Sequence, residues 1–117
     1  MPAKLSHQSK YKNNIKLYNY LESLEIKPND WLVIVYFYTA LHIVESILAD
    51  YHKDSGNHIQ RNKSVKSMAC FREVRNAYMA LYFESRAARY DCVEINNQKV
   101  TNAKNNLERI ITELLNK

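Results

Sequence analysis

Asp30–Glu45 reads D-W-L-V-I-V-Y-F-Y-T-A-L-H-I-V-E. Its first half, Trp31–Tyr38, is apolar nearly all round and rich in β-branched and aromatic residues, so a short buried strand competes with a helix there. The helix is the better reading, because Leu41, Val44, Ile47 and Leu48 carry the apolar pattern onward and no turn residue interrupts it before about His52. Asn29 and Asp30 offer N-cap side chains at its start. A helix apolar on every side must lie at the centre of a bundle or at an oligomer interface.

The flanks extend the helical reading. Upstream, Tyr11, Ile15, Tyr18, Leu21 and Leu24 recur at helical spacing, predicting an amphipathic helix from Ser9 that ends before Pro28. Residues 1–8, with His7 among them, are expected to be a frayed polar tail. Downstream, K-D-S-G-N (Lys53–Asn57) contains the only glycine and marks a loop. Asn57 then caps a third helix over His58 to about Ala69, patterned by Ile59, Val65 and Met68. A fourth runs from about Phe71 to Arg89, and no Gly or Pro shows whether it is continuous with the third. After a connection at Asp91–Asn97, Val100, Ala103, Leu107, Ile110, Ile111, Leu114 and Leu115 mark a final helix. The expectation is one all-α domain over residues 1–117, an up-and-down bundle of four to five helices.

Composition agrees. One Gly and two Pro in 117 residues are too few turn residues for an all-β protein. Seventeen Lys and Arg against 12 Asp and Glu give a net charge of +5, which favours a polyanionic partner such as nucleic acid. With two cysteines, Cys70 and Cys92, and no leader-like pattern in the first thirty residues, a reduced, cytoplasmic protein is expected. The most apolar run, Trp31–Tyr38, is 8 residues and too short to span a bilayer, so no membrane role is expected. A chain with a single Gly cannot contain a P-loop or a dinucleotide-binding glycine motif.

Candidate chemistry gathers on Tyr78–Asp91. As a helix it puts Arg75, Tyr78, Tyr82, Arg86 and Arg89 on one stripe, beside an apolar strip of Val74, Ala77, Leu81 and Ala88. One edge packs and the other presents guanidinium groups and phenols. Tyr82 and Tyr90 beside arginine suit stacking on bases, although most aromatics are core by their spacing. On the second helix, His42, Glu45, Ala49 and His52 form a polar line, either self-satisfied through a His42–Glu45 or backbone bond or facing the Arg86 and Arg89 end of the fourth helix. His58 and Arg61 stand one turn apart at the start of the third helix, where backbone N–H groups favour anions.

Metal binding and nucleophilic catalysis have less support in the sequence. His42, Glu45, His52, Asp54 and His58 fall within 17 positions, but the His-x-x-Glu order inverts the pair used by helical di-iron sites and only one such pair is present, so no metal and no other cofactor is expected. Ser85 and Cys70 lack an adjacent base or a glycine-rich elbow, which leaves nucleophilic catalysis unsupported.

Three ordered segments carry a resemblance: Asp30–Glu45, H-I-Q-R at His58–Arg61, and Y-M-A-L-Y-F-E-S-R-A-A-R-Y at Tyr78–Tyr90. Over roughly residues 10–115 the chain resembles small prokaryotic proteins similar to the HEPN domains. The resemblance implies a four- to five-helix bundle, commonly a homodimer, often with RNA as target and linked to defence or toxin–antitoxin systems. The ribonucleases of that family are similar to one another in an Arg, then usually a polar residue, with a His four to six positions further on. Arg75-Asn76 and Arg61-Asn62 each match the start, but Ala80, Leu81 and Tyr82, and Lys66, Ser67 and Met68, stand where the His would fall.

The leading expectation is therefore a domain that binds RNA or nucleotide phosphate through Arg61, Arg86 and Arg89, with His58 nearby, Tyr82 and Tyr90 for stacking, and His42, Glu45 and Ser85 in support. One alternative is a metal-independent endoribonuclease with His58 as acid–base. Another is a regulatory or scaffolding subunit, with a possible protein partner encoded nearby, whose arginines are structural, for instance Arg86 paired with Glu45.

Overall fold

The computed structural model describes residues 3–53 and 55–116. Five α-helices follow one another: α1 (Lys4–Glu22), α2 (Asn29–Asp50), α3 (His58–Ser67), α4 (Arg75–Tyr90) and α5 (Asn97–Leu115). A 3-10 helix, Ala69–Val74, leads into α4, and there is no strand among the described residues.

Side-chain contacts fix the directions. Lys4 at the start of α1 pairs with Asp50 at the end of α2 at 2.5 Å, while Glu22 at the other end of α1 accepts from the Tyr36 hydroxyl at 2.6 Å, so α1 and α2 are antiparallel. Tyr38 meets Arg89 while Glu45, two turns on, lies near Tyr78, which makes α4 antiparallel to α2. Glu84–Lys99 and Glu73–Arg109 contacts make α5 antiparallel to α4. The four long helices alternate in direction, and α3 packs against the side of this bundle.

The helical reading of Trp31–Tyr38 holds, and α2 is the central element, packed against α1, α4 and α5. Leu32, Val33, Phe37, Ala40, Ile43, Val44 and Leu48 are wholly buried, against Tyr78 and Leu81 of α4 and Leu107 and Ile110 of α5. Each such Leu, Ile or Phe contributes roughly 1.5–3 kcal/mol by leaving water. Helix α2, 22 residues long, contains an 18-residue window with a mean hydropathy of 1.8, long and apolar enough to cross a membrane, but most of that window is buried inside the bundle, as a core helix is. The apolar stretch is longer than Trp31–Tyr38 alone.

Two details differ from expectation, the start of α1 and the role of Asn29, and two others are sharpened. The tail expected over residues 1–8 is helical from Lys4, because His7 packs into the bundle against His42 and Lys4 reaches Asp50, extending α1 along the full length of α2. Helix α1 ends at Glu22, before Pro28 as expected. Asn29 does not cap α2; its carboxamide donates to the Ile95 carbonyl at 2.9 Å and to Asn97 Oδ1 at 3.1 Å, tying the start of α2 to the start of α5. Helices α3 and α4 are not continuous: Met68 is extended (φ −83°, ψ 133°) between them. Arg75 holds this break, donating from Nε to the Val65 carbonyl at 3.0 Å and from Nη2 to the Met68 carbonyl at 2.8 Å. The Asn57 cap stands as expected, accepting from the Gln60 N–H at 2.9 Å.

Candidate functional site

The loop before α3 sets the site. Gly56 takes φ +70°, a left-handed conformation that costs a residue with a Cβ about 1 kcal/mol or more. The turn it makes brings Ser55 back into the bundle, where its hydroxyl donates to Glu45 Oε1. Arg61, one turn into α3, donates from Nε to the same carboxylate oxygen at 2.6 Å. Both Glu45 and Arg61 are buried. A carboxylate that deep requires a partner, and this pair with its serine supplies one.

Glu45 therefore pairs with Arg61 and not with Arg86. The antiparallel packing of α2 on α4 explains the correction: Tyr38 lies opposite Arg89, which leaves Glu45 two turns further from the Arg86 and Arg89 end. The His42–Glu45 line does not face that end. His42 turns toward α1, its Nδ1 3.0 Å from His7 Nδ1, and burial, then His7, Lys10 and Arg61, lower its pKa to about 4, partly opposed by Glu45. His42 thus bonds neither Glu45 nor backbone. Of the remaining residues weighed for a metal, His52 is exposed and Asp54 lies outside the described residues; no three potential ligands come together among the described residues.

His58 occupies the outer side of the same network. Arg61 Nη1 lies 3.0 Å from His58 Nδ1. A guanidinium only donates, so Nδ1 accepts and the neutral ring carries its proton on Nε2. Burial, reinforced by Arg61, Arg89 and Arg86, holds the His58 pKa below its usual value. The ring stacks at a tilt near Phe37 and Tyr82, with centroids 5.8 and 5.5 Å away. His58 is thus fixed as a neutral Nε2–H donor.

Helix α4 completes the face. Its stripe climbs out of the core: Tyr78 is buried, Tyr82 and Arg89 are half-buried, Arg86 is exposed. Arg86 Nη1 lies 3.4 Å from the Tyr82 hydroxyl. Arg89 donates from Nη1 to the Tyr38 hydroxyl at 2.8 Å and from Nε to the Ser85 carbonyl at 3.3 Å, and its guanidinium lies 5.1 Å from the Tyr90 ring centre and 5.6 Å from that of Tyr38. Among the described residues no carboxylate pairs with Arg86 or Arg89. Exposed Tyr90 and Phe83 flank them on the same helix.

His58, Tyr82, Arg86, Arg89 and Tyr90 thus come together on one face of α3 and α4, while Arg61 lies beneath it with its Nε and Nη1 engaged. Ser85 is buried, and its hydroxyl and that of Tyr78 have no hydrogen-bond partner among the described residues. Tyr78 lies near Arg61 and Glu45, and burial raises its pKa, partly offset by Arg61. Tyr38 and Ser55 are participants that sequence reasoning missed; Tyr38 stood on the apolar stripe of α2, and only its hydroxyl hinted at a polar neighbour.

No family model matches the chain, and comparison with curated proteins and with solved structures gives no match either.

Proposed function

We propose that the chain binds RNA or nucleotide phosphate on the α3/α4 face, as a helical domain similar to the HEPN group. The observation that supports this most is that Arg86 and Arg89 are unpaired by any carboxylate among the described residues while Arg89 is held in place by Tyr38 and Ser85. Oriented guanidinium groups next to exposed aromatic rings suit phosphate and base together. His58 adds a fixed Nε2–H donor, and Arg61 acts through His58 and Glu45 as a positioning residue. The same resemblance brings with it a homodimer and a partner from a defence or toxin–antitoxin setting.

Binding is a better match than the endoribonuclease alternative. A general base needs an unprotonated nitrogen toward its substrate, and in His58 that nitrogen is Nδ1, already facing Arg61. The test is fluorescence anisotropy with single-stranded RNA across a salt series. Arg86→Ala with Arg89→Ala should weaken binding and flatten its salt dependence, with the melting temperature near that of the wild type. Wild-type protein that shows no salt-dependent binding would overturn the reading.

A further inference from the structure

The opposite end of α4 carries a second set of cationic groups that the α3/α4 face does not use. A polar cleft of about 660 Å³ opens between the 3-10 helix, the first turns of α4, and α5. Arg72, Arg75 and Arg109 line it, with Asn76 and Asn106. The short side chains of Ala77 and Ala80 form part of its wall and leave the space open.

The guanidinium groups here are oriented but not neutralised. Arg109 donates from Nε to the Glu73 carbonyl at 3.1 Å, which bridges α5 to the 3-10 helix and leaves both Nη groups without a partner among the described residues. Arg72 has no hydrogen bond or ion pair among the described residues. Arg75 belongs to the wall, since its Nε and Nη2 hold the Val65 and Met68 carbonyls. Glu73 is the one carboxylate lining the cleft, and it forms no ion pair with any of the three arginines.

We propose that this cleft binds a phosphate group through Arg72 and Arg109, with the Asn76 and Asn106 carboxamides as further donors. Donors arrive from the 3-10 helix, α4 and α5, so the ligand must present oxygens in several directions. A phosphate does so, and the guanidinium fork matches two of its oxygens at once. The volume exceeds what a phosphate fills and lies in the range of small-molecule sites, so the rest of the ligand also has room. The cleft runs on past Ala80 and Asn106 into a smaller cavity that reaches Asn102 and the Glu84–Lys99 pair, which gives an extended ligand a direction.

This site is independent of the α3/α4 face, about 20 Å away by the rise of α4 between positions 75 and 89. Titration calorimetry with inorganic pyrophosphate, ADP and 5′-phosphorylated oligoribonucleotides of increasing length tests it, in the wild type and in Arg72→Ala, Asn106→Asp and Arg86→Ala/Arg89→Ala proteins. The Arg72 and Asn106 side chains make no hydrogen bond among the described residues, so these variants avoid the link that Arg109→Ala would cut.

The proposal requires pyrophosphate or ADP to bind, and Arg72→Ala and Asn106→Asp to weaken that binding at least about tenfold, the loss of one charge-assisted contact. The Arg86/Arg89 variant, which removes any contribution of the α3/α4 face, should retain this binding. In the Arg86/Arg89 variant, affinity that grows with oligonucleotide length identifies a phosphodiester chain as the source of the phosphate, and affinity already complete with ADP identifies a free nucleotide. Absent binding, or binding that neither variant weakens, overturns the proposal. Loss only in the Arg86/Arg89 variant assigns the phosphate to the other face and overturns it as well.

Discussion

Glu45 and Arg61 meet at 2.6 Å inside the bundle, sixteen residues apart in sequence and both nearly closed off from water. Removing one partner strands the other charge in the interior. Glu45→Ala or Arg61→Ala should each cost about 3–5 kcal/mol in chemical denaturation, whereas a paired replacement by Met at both positions should recover most of that loss. A double variant as unstable as either single one would show that the pair is held for more than charge compensation.

Tyr38 is a positioning residue for Arg89. In Tyr38→Phe the guanidinium keeps its charge and its place near the rings but loses the 2.8 Å bond that aims it. RNA affinity should fall several-fold, less than the roughly tenfold worth of a direct bond to a charged group because Tyr38 acts only through Arg89, with little change in melting temperature. Unchanged affinity would mean that Arg89 does not need aiming.

His58 separates a donor from a base. A glutamine there can still accept from Arg61 and donate toward a phosphate, but cannot shuttle a proton. His58→Gln should therefore keep RNA binding within roughly threefold of the wild type, a change below about 0.7 kcal/mol, while His58→Ala weakens it further. Cleavage of RNA by the wild type in the presence of chelator, lost in His58→Gln, would instead point to acid–base chemistry.

His42 makes stability depend on pH. Its folded pKa of about 4 lies below the ordinary 6.5, because burial and the neighbouring His7 disfavour the charged ring. The neutral ring is therefore the folded form, and the contribution is complete above pH 6.5. It declines as pH falls from 6.5 toward 4, and below that changes no further. Denaturation of the wild type and His42→Phe across pH 4–8 should show a gap in pH slope confined to that window. Parallel slopes would sink this account.

Arg75 should prove structural. Arg75→Ala releases the Val65 and Met68 carbonyls and should destabilise by roughly 1–3 kcal/mol. Arg75→Lys should recover little of this, because an ammonium lacks the planar fork that reaches two carbonyls at once. Near-complete rescue by lysine would mean that charge, not geometry, matters at the break.

What the sequence made legible follows the range of the interactions involved. The helix of Trp31–Tyr38 and the Asn57 cap depend on neighbours within one or two turns, and both could be read. The break at Met68 could not, because the agent is the Arg75 side chain acting seven and ten residues away, with no Gly or Pro to announce it. The start of α1 was hidden because its polar residues take their order from α2, through His42 and Asp50. His58, Tyr82, Arg86 and Arg89 do lie near one another, as helical spacing allowed, but the partner of Glu45 was missed. Several arginines could have met that carboxylate, and the choice rests on a loop geometry around Gly56 that composition does not encode.

Helix α3 is fastened to the rest of the protein in an unusual way. Of its ten residues only Val65 is a buried apolar side chain, and the other buried residue is Arg61. Undocking it would expose little hydrocarbon, so the heat-capacity change of that opening should be small and its temperature dependence shallow. Opening of the helix that carries His58 therefore costs chiefly the Glu45–Arg61 pair, and amide exchange along it should be faster than along α2 and rise together when Glu45 is neutralised.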